Sequence, residues 1–79
     1  MMLKMKDLVI ETIREVMHEN GHAITELKPE THILRDTSLD SLDLAIVVVK
    51  LEEKTGKDPF KQGYIYFSTV SELAKLYGE

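Results

Sequence analysis

The sequence has no cysteine and no tryptophan, and only two prolines and four glycines among its 79 residues. Without cysteine the chain encodes no catalytic thiol, no disulfide framework and no thiolate metal site. So few prolines and glycines leave no room for a flexible or Pro-rich linker, and no internal repeat or low-complexity segment is present. A single domain over residues 1–79 is expected. No hydrophobic run approaches the length needed to cross a bilayer, and the opening MMLKMKDLVIETIREV carries a charge every few residues, unlike a signal peptide. The expectation is a soluble, cytoplasmic monomer with no membrane insertion. Basic residues are also in short supply: 10 Lys+Arg stand against 14 Asp+Glu, for a net charge of −4, and no stretch is rich in Lys or Arg. Phosphate contacts supply most nucleic-acid affinity, which argues against that class of partner and favours basic protein surfaces.

What the chain does have is hydrophobic periodicity. From Leu3 to Asn20 the residues Met5, Leu8, Val9, Ile13, Val16 and Met17 recur at steps of three and four, which predicts an amphipathic helix ended by Gly21. Residues 22–40 have no sustained period and read as a long loop, with Ile24, Leu27, Ile33, Leu34 and Leu39 as inward anchors. A second helix is predicted from Asp40 to Thr55. The β-branched run Ile46 to Val49 would suit a strand, but Asp40 is a good N-cap with Asp43 three residues on. Sixteen residues also exceed a typical strand, and Lys50 and Lys54 lie near the end where the helix dipole favours cations. Thr69 and Glu72 form a capping box for a closing helix that stops at Gly78. Between these helices, DPFKQGYIYF has room for a short helical turn or an extended piece, with Phe60, Tyr64, Ile65 and Phe67 expected to pack inward.

At 100° per residue the central helix has two apolar stripes. Leu44, Val47, Val48 and Leu51 form the expected core side. Leu42, Ala45, Ile46 and Val49 lie opposite, with Glu53 in line and Asp43 beside them. The second stripe is either further core or a docking surface with acids at its edge.

Three motifs invite chemical readings. His18, Glu19 and His22 spell H-E-x-x-H, but the match falls at a helix end with Gly21 inside it, so chance explains it better than zinc. Asp36, Ser38 and Asp40 resemble the start of a calcium loop, which fails because Ser41 stands where glycine is needed and Val47 where a bidentate Glu is needed. Ser41 has no G-x-S-x-G elbow, and so short a chain offers little space for a hydrolase cleft. What remains is a serine at a helix N-terminus, where free N–H groups and the dipole favour a bound phosphate.

Asp40-Ser41-Leu42-Asp43, opening an amphipathic helix that runs into LEEKTG, resembles the attachment site of the acyl carrier proteins. The likeness covers essentially the whole chain, including the closing segment Phe67-Ser68-Thr69-Val70 ahead of Glu72-Leu73. It implies an all-α four-helix bundle with a long loop after the first helix and a short third helix. It also implies a non-catalytic protein carrying acyl groups as thioesters on a 4′-phosphopantetheine arm esterified to Ser41, with Asp40 the acid before it. Leu42, Asp43, Ala45, Ile46, Val49 and Glu53 would then meet partner enzymes, and Leu44, Val47, Val48 and Leu51 would line the interior that shelters the acyl chain. The implied partners are a phosphopantetheinyl transferase and acyl-loading synthetases, synthases or acyltransferases of fatty-acid or lipid biosynthesis with basic docking patches. Thr37-Ser38 stands where the family usually has Leu-Gly, Ile46 where a glutamate is common, and Lys50, Lys54 and Lys57 offset the acids. These departures point to a specialised member. An aminoacyl or peptidyl carrier and an unmodified helical adaptor are the alternatives.

Overall fold

The computed structural model describes residues 4–23 and 26–78. Three α-helices form within them: α1 (Met5–Glu19), α2 (Ser41–Thr55) and α3 (Val70–Leu76). No strand forms among the described residues, although His32 and Thr69 make an isolated antiparallel bridge. The chain is all-α as expected, but with three helices where the resemblance implies four. Residues 59–62 form turns and residues 64–68 are irregular. Only three residues separate Pro59 from Gly63, whose φ of 135° ends any helical path, and that is less than one turn.

In α1, Val9, Ile13, Val16 and Met17 are buried at the spacing of one helix face. Thr12 is buried with them, and its hydroxyl donates to the Leu8 carbonyl oxygen at 2.8 Å, so the polar group is satisfied. The helix ends where expected, with Gly21 at φ 72° and the His22 amide donating back to Met17 O at 2.9 Å. The expected start at Leu3 and the anchor Ile24 lie outside the described residues.

The run Ile46 to Val49 lies within α2. Gly56 caps that helix at φ 72°, a left-handed conformation that side chains rarely adopt, and donates to Glu52 O at 2.8 Å.

With seven residues, α3 is far too short to persist alone. Its orphan amides are nevertheless all engaged: Val70 N donates to Thr31 O (3.1 Å), Ser71 N to Pro29 O (2.8 Å) and Glu72 N to Thr69 Oγ1 (3.1 Å). The Glu72 carboxylate completes the capping box by accepting from the Ser68 and Thr69 amides and the Ser68 hydroxyl. The long loop is thereby tied to the start of α3, and Ile33 N adds a bond to Ser68 O at 2.8 Å.

The core joins the inner face of α1 to Val47 and Leu51 of α2 and to Val70, Leu73 and Ala74 of α3, with Leu27, Ile33, Leu39, Phe67 and Tyr77 closing it. The α1 helix packs on both others, whereas the backbones of α2 and α3 do not approach each other. Three expected anchors face out instead: Leu34, Tyr64 and Ile65 are exposed. Leu34 sits in a turn whose inward position is taken by Ile33, and Tyr64 and Ile65 follow the Gly63 turn on the outside of the molecule.

Candidate functional site

Ser41 is the first residue of α2, and its surroundings follow from the cap. Asp40 is extended, and its Oδ1 accepts from the Asp43 amide at 2.9 Å. The Asp43 carboxylate accepts in return from the Asp40 amide at 3.3 Å, and Leu44 N donates to Asp40 O at 3.0 Å. The amides of Ser41 and Leu42 and the Ser41 hydroxyl have no hydrogen-bond partner among the described residues. The same two amide positions in α3 are consumed by Thr31 and Pro29. Helix 2 therefore offers two open donors and the positive end of its dipole beside an exposed, unbonded serine Oγ.

Asp43 is not at the edge of the exposed stripe. It is buried, with Oδ1 accepting from Asn20 Nδ2 at 2.6 Å and Oδ2 lying 3.4 Å from His22 Nε2. Its carboxylate ties the end of α1 to the start of α2 and is turned away from the surface on which the sequence pattern placed it. Helical angle gives direction, not what is packed there, and the loop after α1 covers that side. The two histidines of H-E-x-x-H are accordingly separated in role: His18 is exposed in the last turn of α1, and His22 faces Asp43. No cluster of three or more candidate metal ligands occurs among the described residues. Of the calcium-like acids, Asp36 accepts from the His32 amide at 2.9 Å and Asp40 serves as the cap.

Helix 2 presents four sides. Val47 and Leu51 are completely buried, while Leu44 and Val48 are half-buried. Leu42, Ile46 and Val49 are exposed at 70%, 37% and 55%, with Ala45 and Glu53 also exposed beside them. On the side facing α1, Lys50 and Lys54 reach Glu15 at 3.1 and 2.8 Å, and Lys50 reaches Glu19 at 3.4 Å. Hydrogen bonds from Lys54 and then Lys50 hold the Glu15 carboxyl below its usual range, and Glu15 raises Lys50 in turn. Both lysines are thus spent on α1 and stand apart from the row of Leu42, Ile46, Val49 and Glu53.

The fourth side opens on a cleft of about 440 Å³. Ser41, Leu44, Ala45, Val48 and Val49 form its α2 wall, Phe60, Tyr64 and Phe67 the opposite wall, and Leu34 lies at the loop. The three rings contact one another with centroids 5.8 to 6.3 Å apart. Among the described residues that line it, Ser41 and Tyr64 alone have polar side chains. Leu44 and Val48, assigned to the interior from sequence, do line this space, joined by Ala45 and Val49 from the other stripe. The aromatic wall and Leu34 were not assigned to a site from sequence. The spacing of Phe60, Tyr64 and Phe67 at four and three residues carries no signal, because no helix forms there to bring such positions onto one face.

Acyl carrier protein 2 of Ralstonia nicotianae is similar to this chain, at 37% identity over 67 residues that cover 82% of this chain and 82% of that protein. No family model and no solved structure matches the chain.

Proposed function

The chain belongs to the acyl carrier protein family, and we propose from that premise that it carries acyl groups as thioesters on a 4′-phosphopantetheine arm attached to Ser41. The residues present fit such a group. Ser41 Oγ is exposed and free to act as the nucleophile, the Ser41 and Leu42 amides are open to an anionic phosphate oxygen, and the apolar cleft begins at the same residue. Once attached, the arm supplies the thiol that the sequence does not encode. This chain itself catalyses nothing in the proposal. With no group hydrogen-bonded to Ser41 Oγ among the described residues, its proton would leave to a base supplied by the phosphopantetheinyl transferase.

The other elements take separate roles. Asp40 caps the helix and orients Ser41. Leu44 and Val48 offer an apolar cargo a lining, with Val47 and Leu51 as the rigid layer behind them. Leu42, Ala45, Ile46, Val49 and Glu53 form the face offered to acyl-loading synthetases, synthases or acyltransferases, and Asp43 drops out of that set. An apolar row ended by a glutamate suits enzymes with a basic docking patch, held through a small interface that permits exchange. Ile46 in place of the common glutamate makes that row more apolar and supports a specialised carrier.

The observation that carries the proposal is the free Ser41 hydroxyl between two unpaired amides and an apolar cleft. Incubation with coenzyme A and a broad-specificity phosphopantetheinyl transferase should add one arm by intact mass, and Ser41→Ala should add none. No arm on the wild type, or an equal gain by the variant, would refute the assignment.

A further inference from the structure

Beside the cleft lies a second, open hollow of about 410 Å³, lined by residues 58, 59 and 61–65. Tyr64 is the residue common to both. Its ring is stacked at 16° on Phe60 with centroids 5.8 Å apart and tilted against Phe67 at 6.3 Å. Little else restrains it. Tyr64 is 73% exposed, its hydroxyl and its amide have no hydrogen-bond partner among the described residues, and no helix follows it until Val70. The backbone just before it turns at Gly63 with φ 135°, a conformation that side chains rarely adopt.

On the α2 side the cleft extends from Ser41 to Val49, about 12 Å along the helix axis at its standard rise. An unbranched apolar chain attached through Ser41 and laid along this wall would find apolar side chains until it met the aromatic trio. Beyond Tyr64 it would enter the hollow that Asp58, Lys61 and Gln62 help to line.

Building on the carrier function proposed above, we infer that the Tyr64 ring sets the length of acyl chain that the cleft shelters. With the ring in place the cleft and the second hollow are two separate spaces. With the ring removed the two hollows join into one longer space. The ligand class is a straight saturated acyl chain, and the determinant is the ring itself rather than its hydroxyl.

The test uses the full chain loaded at Ser41 with saturated acyl groups of graded length, transferred from the corresponding acyl-coenzyme A by a broad-specificity transferase and verified by intact mass. The readout is the rate of thioester cleavage by hydroxylamine. In the wild type the rate should fall by up to about fourfold for each added methylene that the cleft buries, then stop falling at a defined length. In Tyr64→Ala the fall should continue to longer chains, and Tyr64→Phe should match the wild type. Thermal melts of the unloaded variants should coincide with the wild type, because the side chain is mostly in solvent. The same limiting length in Tyr64→Ala, loss of protection at every length, or a shifted limit in Tyr64→Phe would overturn the inference while leaving the carrier function intact. Failure of the wild type to accept any arm would instead refute the carrier function, and this inference with it.

Discussion

Tyr77 is completely buried, and its hydroxyl has no hydrogen-bond partner among the described residues. Burial pushes its pKa up to about 12, with the charges of Asp58 and Glu52 adding to the effect. An unpartnered buried hydroxyl costs about 1–3 kcal/mol, so Tyr77→Phe, which keeps the ring, should leave stability unchanged or raise it in urea denaturation. The pH dependence has a definite sign. Because the folded pKa lies above the ordinary value of 10, the contribution of Tyr77 is intact below pH 10 and is lost as pH rises toward 12. Tyr77→Phe should remove that part of the alkaline decline. Glu72 behaves oppositely. Hydrogen bonds from the Ser68 hydroxyl, then the Ser68 and Thr69 amides, hold its pKa down to about 2. Its contribution is present above about pH 4.5 and fades as pH falls toward 2, and Glu72→Gln should flatten that limb of an acid titration followed by circular dichroism. Asp43→Ala should cost about 1–2 kcal/mol in urea, since it removes half a capping box and leaves the Asn20 amide without its acceptor.

Among the elements, α2 offers the sharpest contrast. Val47 is fully buried and Ile46, its neighbour, is 37% exposed. Val47→Asp should unfold the protein by burying a charge, whereas Ile46→Glu should shift stability by no more than about 0.5 kcal/mol in thermal melts while changing which enzymes bind. Equal destabilisation would mean that both sides of α2 serve as core. The short α3 depends on its cap: Thr69→Ala should cost about 1 kcal/mol and raise hydrogen exchange at Glu72, whose amide the Thr69 hydroxyl accepts. The three helices and both capping boxes were legible in the sequence because each rests on local spacing: apolar steps of three and four, and Asp40 with Asp43 or Thr69 with Glu72. Ser41 was legible as a helix-start serine for the same reason. The burial of Asp43 was not, since it depends on Asn20 and His22, more than twenty residues away. Nor was the aromatic wall, because residues 59–67 form no regular element and period therefore says nothing about which way Tyr64 points.

For the whole molecule, charge is unevenly placed. Residues 36–58 hold six acids against three lysines, a net −3, while residues 59–79 are neutral. Since Lys50 and Lys54 are paired with Glu15 on the α1 side, the outward side of α2 is more acidic than its composition suggests. Association with a basic partner should slow steeply as ionic strength rises, with little change in dissociation, a pattern that stopped-flow kinetics at two salt concentrations would reveal.

Helix 1 packs on both α2 and α3, whose backbones do not approach each other, and the space beside α2 is bordered by residues 60–67, whose stretch from Tyr64 to Phe67 has no hydrogen bonds among the described residues. Under the carrier function proposed above, an acyl chain entering this space would shift that stretch before it disturbed the packing of α1 on α2. Chemical-shift changes on acyl loading should therefore gather at Phe60, Tyr64 and Phe67 and leave Val9, Ile13 and Val16 of α1 almost unmoved.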